Sequence, residues 1–270
     1  MADTVPDKVK DVLSSGYIGQ GPKNEEFESQ LRNYYGKSCV TVNSGTSGLS
    51  LIYNILDVEE YEHILTTPLT CFATNAPLIT QDIPIRWVDV DYNTCQMSIN
   101  DLRGKIRDTT RAVVLVSWGG YSLPYNDLLQ IKDDYRRKYG RELIMIEDAA
   151  HSFGNPNLGT LDFTILSLQA IKHVTSVDGG VIIPKDEACV DDLQKLRWYG
   201  LSRRKWNDSF RCESDISRAG FKYHMNDVNS VIGMENLKHA DWILNRHRRN
   251  MMWYDANLLC SHVELPQIDN

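Results

Sequence analysis

Short runs of apolar and β-branched residues recur along this chain, most of them spaced by enough residues for a helix, and that rhythm decides the fold class. Seven runs stand out, at residues 39–42, 64–67, 85–89, 112–117, 143–147, 163–168 and 180–183. Each has the length and composition of a strand buried on both faces. Between them, residues 127–139 place Leu128, Leu129, Ile131 and Tyr135 at helical spacing, and residues 187–199 do the same with Val190, Leu193 and Leu196. Strands alternating with helices predict an α/β fold, a three-layer α/β/α domain around a mainly parallel seven-stranded sheet. The runs 163–168 and 180–183 leave no room for a crossover helix, so they pair antiparallel or lie apart in the sheet. In such a sheet, ligands gather beyond the carboxyl ends of the strands.

The 270 residues are 42% hydrophobic and 24% charged, ample for a core. A net charge of -7 argues against nucleic-acid binding through bulk electrostatics, yet leaves room for a small anion in a locally positive pocket. No apolar run approaches the roughly 20 residues of a membrane span, and MADTVPDKVKDVL has no hydrophobic signal core. Six cysteines, at 39, 71, 95, 189, 212 and 260, show no paired or metal-ligand spacing. They read as reduced thiols of a cytoplasmic protein. Residues 220–259 are mostly helical in pattern, with Val228, Val231, Ile232, Met234 and Leu237 as the apolar set. The expected division is a large domain over 1–220, then a helical linker and the beginning of a smaller, truncated C-terminal domain over 221–270.

Three stretches carry chemistry. Asn43-Ser-Gly-Thr-Ser-Gly-Leu49 follows a strand and precedes an apolar helical stretch. Free N–H groups and the dipole at a helix start bind phosphate, Gly45 permits close approach, and Thr46 and Ser47 add hydroxyls. The plainer reading is a Ser/Thr helix cap. Leu143-Ile-Met-Ile-Glu-Asp-Ala-Ala-His151 puts acids at the end of a buried strand, where Asp148 could hold a protonated ring nitrogen and His151 an adjacent oxygen. The alternatives there are another cap and an ordinary polar contact. In Ser167-Leu-Gln-Ala-Ile-Lys-His-Val-Thr-Ser-Val-Asp-Gly-Gly180 a single lysine, Lys172, sits between two strands. An amine that reacts with a carbonyl must be neutral, and burial lowers its pKa; the alternative is a solvated loop lysine. GYIGQG at 16–21 follows no strand and is not read as a dinucleotide fingerprint. A phosphate cradle, a carboxylate for a ring nitrogen and a reactive lysine, in that order across an α/β sheet, match the needs of pyridoxal 5'-phosphate.

With these residues in place, the sequence resembles the DegT/DnrJ/StrS family of sugar aminotransferases, fold-type I pyridoxal-phosphate enzymes, from Gly16-Tyr-Ile-Gly-Gln-Gly-Pro22 through to Arg249. Phe27-Glu28, Tyr34-Tyr-Gly36, Thr66-Thr-Pro-Leu-Thr70 with Ala73-Thr74, Trp87-Val-Asp-Val-Asp91 and Gly220-Phe-Lys-Tyr-His-Met-Asn-Asp-Val-Asn229 with Gly233 add to it. The resemblance implies that Lys172 carries the cofactor covalently and shuttles the proton. It implies that Asp148 pairs with the pyridine nitrogen and His151 lies near the phenolic oxygen. Gly45, Thr46, Ser47 and Ser167 would bind the phosphate. The family usually places an aromatic residue after the Pro-x-Thr threonine; here Cys71 stands there and Phe72 follows, both as candidates against the ring. Lys222-Tyr-His224 replaces a common Asn-Tyr-Arg that reaches the neighbouring subunit, so Lys222 is a candidate phosphate contact across a homodimer. Family members usually run on for roughly another hundred residues, completing the small domain.

The implied activity is transamination of a nucleotide-linked keto-sugar, a 4-keto-6-deoxyhexose, with L-glutamate as donor. One alternative is dehydration of a sugar with the same cofactor. In that branch a histidine replaces the lysine, so Lys172 counts against it. The other is a truncated homologue that binds the cofactor without catalysis. No metal, nucleic acid or membrane is expected as a partner.

Overall fold

A computed structural model describes residues 1–202, 216–258 and 265–266. Cys212, Cys260 and Leu259, the last residue of the expected helical stretch, lie outside them. The strands are β1 (Val40–Val42), β2 (His63–Thr66), β3 (Ile85–Trp87), β4 (Thr110–Val116), β5 (Ile144–Asp148), β6 (Phe163–Ser167) and β7 (Gly180–Pro184). The helices are α1 (Val5–Ser15), α2 (Pro22–Tyr35), α3 (Gly45–Leu56), α4 (Phe72–Thr80), α5 (Ile99–Lys105), α6 (Tyr125–Tyr139), α7 (Cys189–Leu196), α8 (Asp227–Leu237) and α9 (Ala240–Asn257). All seven expected strands are present in one sheet, ordered β1-β7-β6-β5-β4-β2-β3. The sheet is mixed: β7 runs antiparallel to both β1 and β6, and the other pairs are parallel. Of the two arrangements open to the β6–β7 pair, the chain adopts the antiparallel one, with Ser167 opposite Gly180.

Alternation along the strands sorts side chains into two layers. On β4, Ala112 and Val114 face a core shared with α3, while Val113 and Leu115 face one built by α6. On β7, Ile182 joins the first of these, and Val181 and Ile183 join a third core made with α1, α2, α8 and the start of α9. The helical residues Val231, Ile232, Met234 and Leu237 of α8 pack there against Phe27 and Leu31. The helix read over 187–199 is shorter, because Tyr199 (φ 58°) and Gly200 (φ 84°) turn the chain into the left-handed region after α7.

The glycines at 16–21 have a structural role. Gly16 ends α1 with φ 76°, and Gly21 precedes α2. The free N–H groups at the start of α2 are met by a carboxylate of this same chain: Asp227 accepts from Gly21, Lys23 and Asn24 at 2.8, 3.1 and 3.0 Å. This ties the N-terminal segment to α8. Among the described residues, no helix is long and apolar enough to cross a membrane, and no group of three His, Cys, Asp or Glu residues could hold a metal ion.

Candidate active site

Beyond the carboxyl ends of β1, β2, β4, β5 and β6 lies a cavity of about 300 Å³. The turn after each strand contributes to its wall: Ser44, Gly45 and Thr46 after β1, Thr70 and Cys71 after β2, Ser117 and Trp118 after β4, Asp148 to His151 from β5, and Ser167 to Lys172 from β6. The five strands that end here run in one direction and bring the turns that follow them to one volume, as the architecture predicts.

One end of the cavity is a helix start. Ser44 caps α3, its Oγ accepting from Ser47 N–H at 3.0 Å and lying 2.8 Å from Ser47 Oγ. The cap is present, and the residues that follow it, Gly45 and Thr46, line the cavity at the start of the helix. Glycine is required twice to bring this terminus down onto the sheet. A Cβ on Gly180 would stand 2.7 Å from Gly45 N and from the Ser44 carbonyl, and one on Gly48 would stand 2.3 Å from Ile165 Cδ1. Ser167 closes this end, 3.3 Å from where a Gly45 Cβ would be.

The middle holds Asp148, buried, with Oδ2 accepting from Thr74 Oγ1 at 2.7 Å and Oδ1 from Ala150 N–H at 3.1 Å. Thr74 is itself 2.7 Å from Thr70 Oγ1. Burial pushes the Asp148 carboxyl up; the Thr74 and Ala150 donors, Lys172 and His151 pull against that. A carboxylate so placed gains from a cation beside it. Burial holds the Lys172 ammonium below its ordinary value, opposed by Asp148 and Cys71. Burial, and then Lys172, also lowers His151, which favours a neutral imidazole.

Lys172 rides on a loop held at many points. Leu168 N–H donates to Gly179 O, Ser176 N–H to Leu168 O, and Lys172 N–H to Gln169 O, all at 2.8–2.9 Å. From below, α8 grips the same loop: Asn229 Nδ2 donates to Ser176 O and Asp178 O, and Asn236 Nδ2 to Thr175 O, at 2.8–2.9 Å. Leu168 and Val174 are fully buried. The loop is pinned at its base while its tip is open to solvent, with Ile171 exposed, and Lys172 itself is half-buried.

Of the residues expected at the site, Gly45, Thr46, Cys71, Asp148, His151, Ser167 and Lys172 share the cavity. Three lie outside its wall. Ser47 is turned back into the α3 cap. Phe72 begins α4 with its side chain 68% exposed. Lys222 is exposed and paired with Trp198 in an isolated bridge, away from this chain's own cavity. Two contributors were not anticipated. Trp118 stands in the wall with its ring 5.3 Å from that of His151; the Trp-Gly-Gly triplet ending a buried strand was its signal. Glu147, one residue before Asp148 and so on the opposite face, accepts from Ser117 Oγ at 2.6 Å and Tyr125 OH at 2.9 Å.

Burial pushes Glu147 up to about 7, against the pull of those two donors. The folded chain thus holds this proton more tightly than the unfolded chain. The resulting stabilisation is complete below the usual carboxylate range and is lost as pH rises through about 7. Glu147→Gln is expected to lose less stability than the parent between about pH 5 and 8, read from urea melts across that range. Parallel pH profiles for the two proteins would refute it.

The donor set suits a phosphorylated pyridine aldehyde: two backbone N–H groups and hydroxyls for phosphate, a buried carboxyl that wants a cation, and an amine biased toward its neutral form. Comparison with known proteins decides the lineage: residues 2–268 match the DegT/DnrJ/EryC1/StrS aminotransferase family. The chain belongs to that family. Among solved structures, AtS13 from Actinomadura melliaura is 38% identical, with a TM-score of 0.94 over 99% of this chain and 74% of that one. The sugar aminotransferase CalS13 from Micromonospora echinospora is 36% identical, with a TM-score of 0.89 over 96% of this chain and 72% of that one. Spr1654 from Streptococcus pneumoniae, in its PLP-form, is 25% identical, with a TM-score of 0.83 over 95% of this chain and 69% of that one. The chain spans 64% and 61% of the length of two curated relatives. In this DegT/DnrJ/EryC1/StrS member, the cavity lies beyond the carboxyl ends of the strands of the seven-stranded sheet.

Proposed function

We propose that this chain binds pyridoxal 5'-phosphate and acts, as a homodimer, in transferring an amino group from L-glutamate to a nucleotide-linked keto-sugar, a 4-keto-6-deoxyhexose. The observation that carries this reading is the convergence of Lys172, Asp148 and the α3 N-terminus on one cavity. In this reading residues 1–220 form the cofactor-binding domain and 221–270 lead toward a smaller one, with Lys222 reaching the partner's site.

When bound, the cofactor supplies an electron sink that stabilises negative charge at the carbon bearing the transferred nitrogen. The chain's residues do the rest. Gly45 and Thr46 N–H groups, with the Ser167 hydroxyl, hold the phosphate, and Ser47 supports them through the Ser44 cap. Asp148 keeps the ring nitrogen protonated, its own geometry fixed by Thr74 and Ala150. His151 bounds the phenolic side. Lys172 would hold the cofactor covalently and would carry the proton at the donor's α-carbon, and burial lowers its pKa in the direction that favours the neutral amine this needs. Sugar specificity is inferred from membership of the family and from the resemblance to the sugar aminotransferase CalS13.

The test is a visible absorption spectrum of the cofactor-loaded protein. Its band is expected to shift when L-glutamate is added and to return when a 4-keto-6-deoxyhexose nucleotide follows, with nitrogen entering the sugar. A spectrum unmoved by glutamate or any other amino donor would sink the reading.

A further inference from the structure

Resting on the pyridoxal-phosphate reading above, we propose that Trp118 is the aromatic wall of the cofactor site, its indole packing on the pyridine ring. A flat, protonated heteroaromatic ring binds best against another flat π-surface, and among side chains indole attracts a cation most strongly. Trp118 is the indole in the lining of this cavity. Phe72, the aromatic next to Cys71, points into solvent and does not line it. Cys71, on the β2 side, offers a thiol and no ring.

The indole is presented by a turn fixed from four sides. Trp118–Gly120 form a single 3-10 turn after β4. Gly119 and Gly120 both take positive φ, 68° and 86°, which other residues rarely adopt. Gly120 also needs its missing side chain, since a Cβ there would stand 2.6 Å from His151 O. Gln96 Nε2 donates to Trp118 O at 3.0 Å. Ser117 is buried, its N–H donating to Asp148 O at 3.0 Å and its Oγ to Glu147. Ser117, just before Trp118, is therefore tied to the same strand that carries Asp148, and Gly120 passes close to the His151 carbonyl beyond that strand's end. Such anchoring would be needless for a surface tryptophan; it makes a pre-formed wall that loses little freedom when a ring arrives. The His151 imidazole, 5.3 Å away and tilted by 52°, completes the corner.

The probe is pyridoxal 5'-phosphate itself, added to apoprotein of the parent, Trp118→Phe and Trp118→Ala. Trp118→Ala is expected to bind about tenfold more weakly, the effect of losing ring packing with its buried area. Trp118→Phe should stay within about threefold of the parent. Indole fluorescence gives a second readout: binding should quench the parent strongly, and Trp118→Phe should lack that share of the quenching. Unchanged affinity in Trp118→Ala, or full quenching in Trp118→Phe, would overturn the proposal. Should the alanine variant fail to fold, the quenching in the phenylalanine variant decides alone. Reductive trapping on Lys172 of the parent separates the two levels. Parent protein that traps no cofactor defeats both readings, whereas trapping with unaltered variant binding defeats only this one.

Discussion

Lys172→Ala is expected to give a protein that folds, binds pyridoxal phosphate reversibly and transfers no nitrogen. The loss should be at least the roughly 10²–10⁴-fold that a positioned proton-transfer group supplies, because the same amine is also the covalent anchor. Folding should survive, since the loop is held by Leu168, Val174, Asn229 and Asn236 rather than by the lysine itself. Borohydride reduction followed by peptide mass mapping checks this: the parent should carry the cofactor mass on the peptide containing Lys172, and the variant should carry none. Label on another lysine, or normal turnover by the variant, would contradict the assignment.

The second large effect is expected at Asp148. Asp148→Asn keeps the shape and removes the charge. A hydrogen bond to a charged group is worth about 1.5–3 kcal/mol, so turnover should fall about 10- to 100-fold. Stability should move the other way or not at all. Burial disfavours the ionised carboxylate in the folded chain, and the amide escapes that penalty. Activity assays and urea melts on the same preparation separate the two effects. A variant that is both fully active and unchanged in stability would leave Asp148 without the role given to it. A variant that is mainly unfolded would make it structural.

The strands were legible as short apolar runs, and six of the seven are buried or nearly so; β3 is the exception, since it is an edge strand and leaves Arg86 and Trp87 exposed. Which strands lie side by side was not legible. The placing of β7 between β1 and β6 depends on contacts such as Gly180 against Gly45, far apart in sequence, which no local pattern encodes. At the site, Lys172 and Asp148 were legible from their places at strand ends. The parity of a strand decided what was missed: Glu147 and Asp148 are adjacent, yet one faces Ser117 and Tyr125 beneath the sheet end and the other faces the cavity. Ser47 and Phe72 fell outside the cavity for the helical equivalent of that reason. Each lies in the first turn of its helix, where one position's rotation turns a side chain from the ligand to the cap or to water. Trp118 was overlooked because its meaning comes from Gln96 and His151, residues that only the fold brings beside it.

Because β7 returns antiparallel beside β6, residues 168–179 form a hairpin link rather than a crossover. Both its ends are therefore stitched into the middle of the sheet, at Ser167 and Gly180. Most enzyme loops tolerate added length, but here extra residues would have no slack to occupy. An insertion or deletion in this link would shift the amine's reach relative to everything it must meet, so its length should be among the least negotiable dimensions of the molecule.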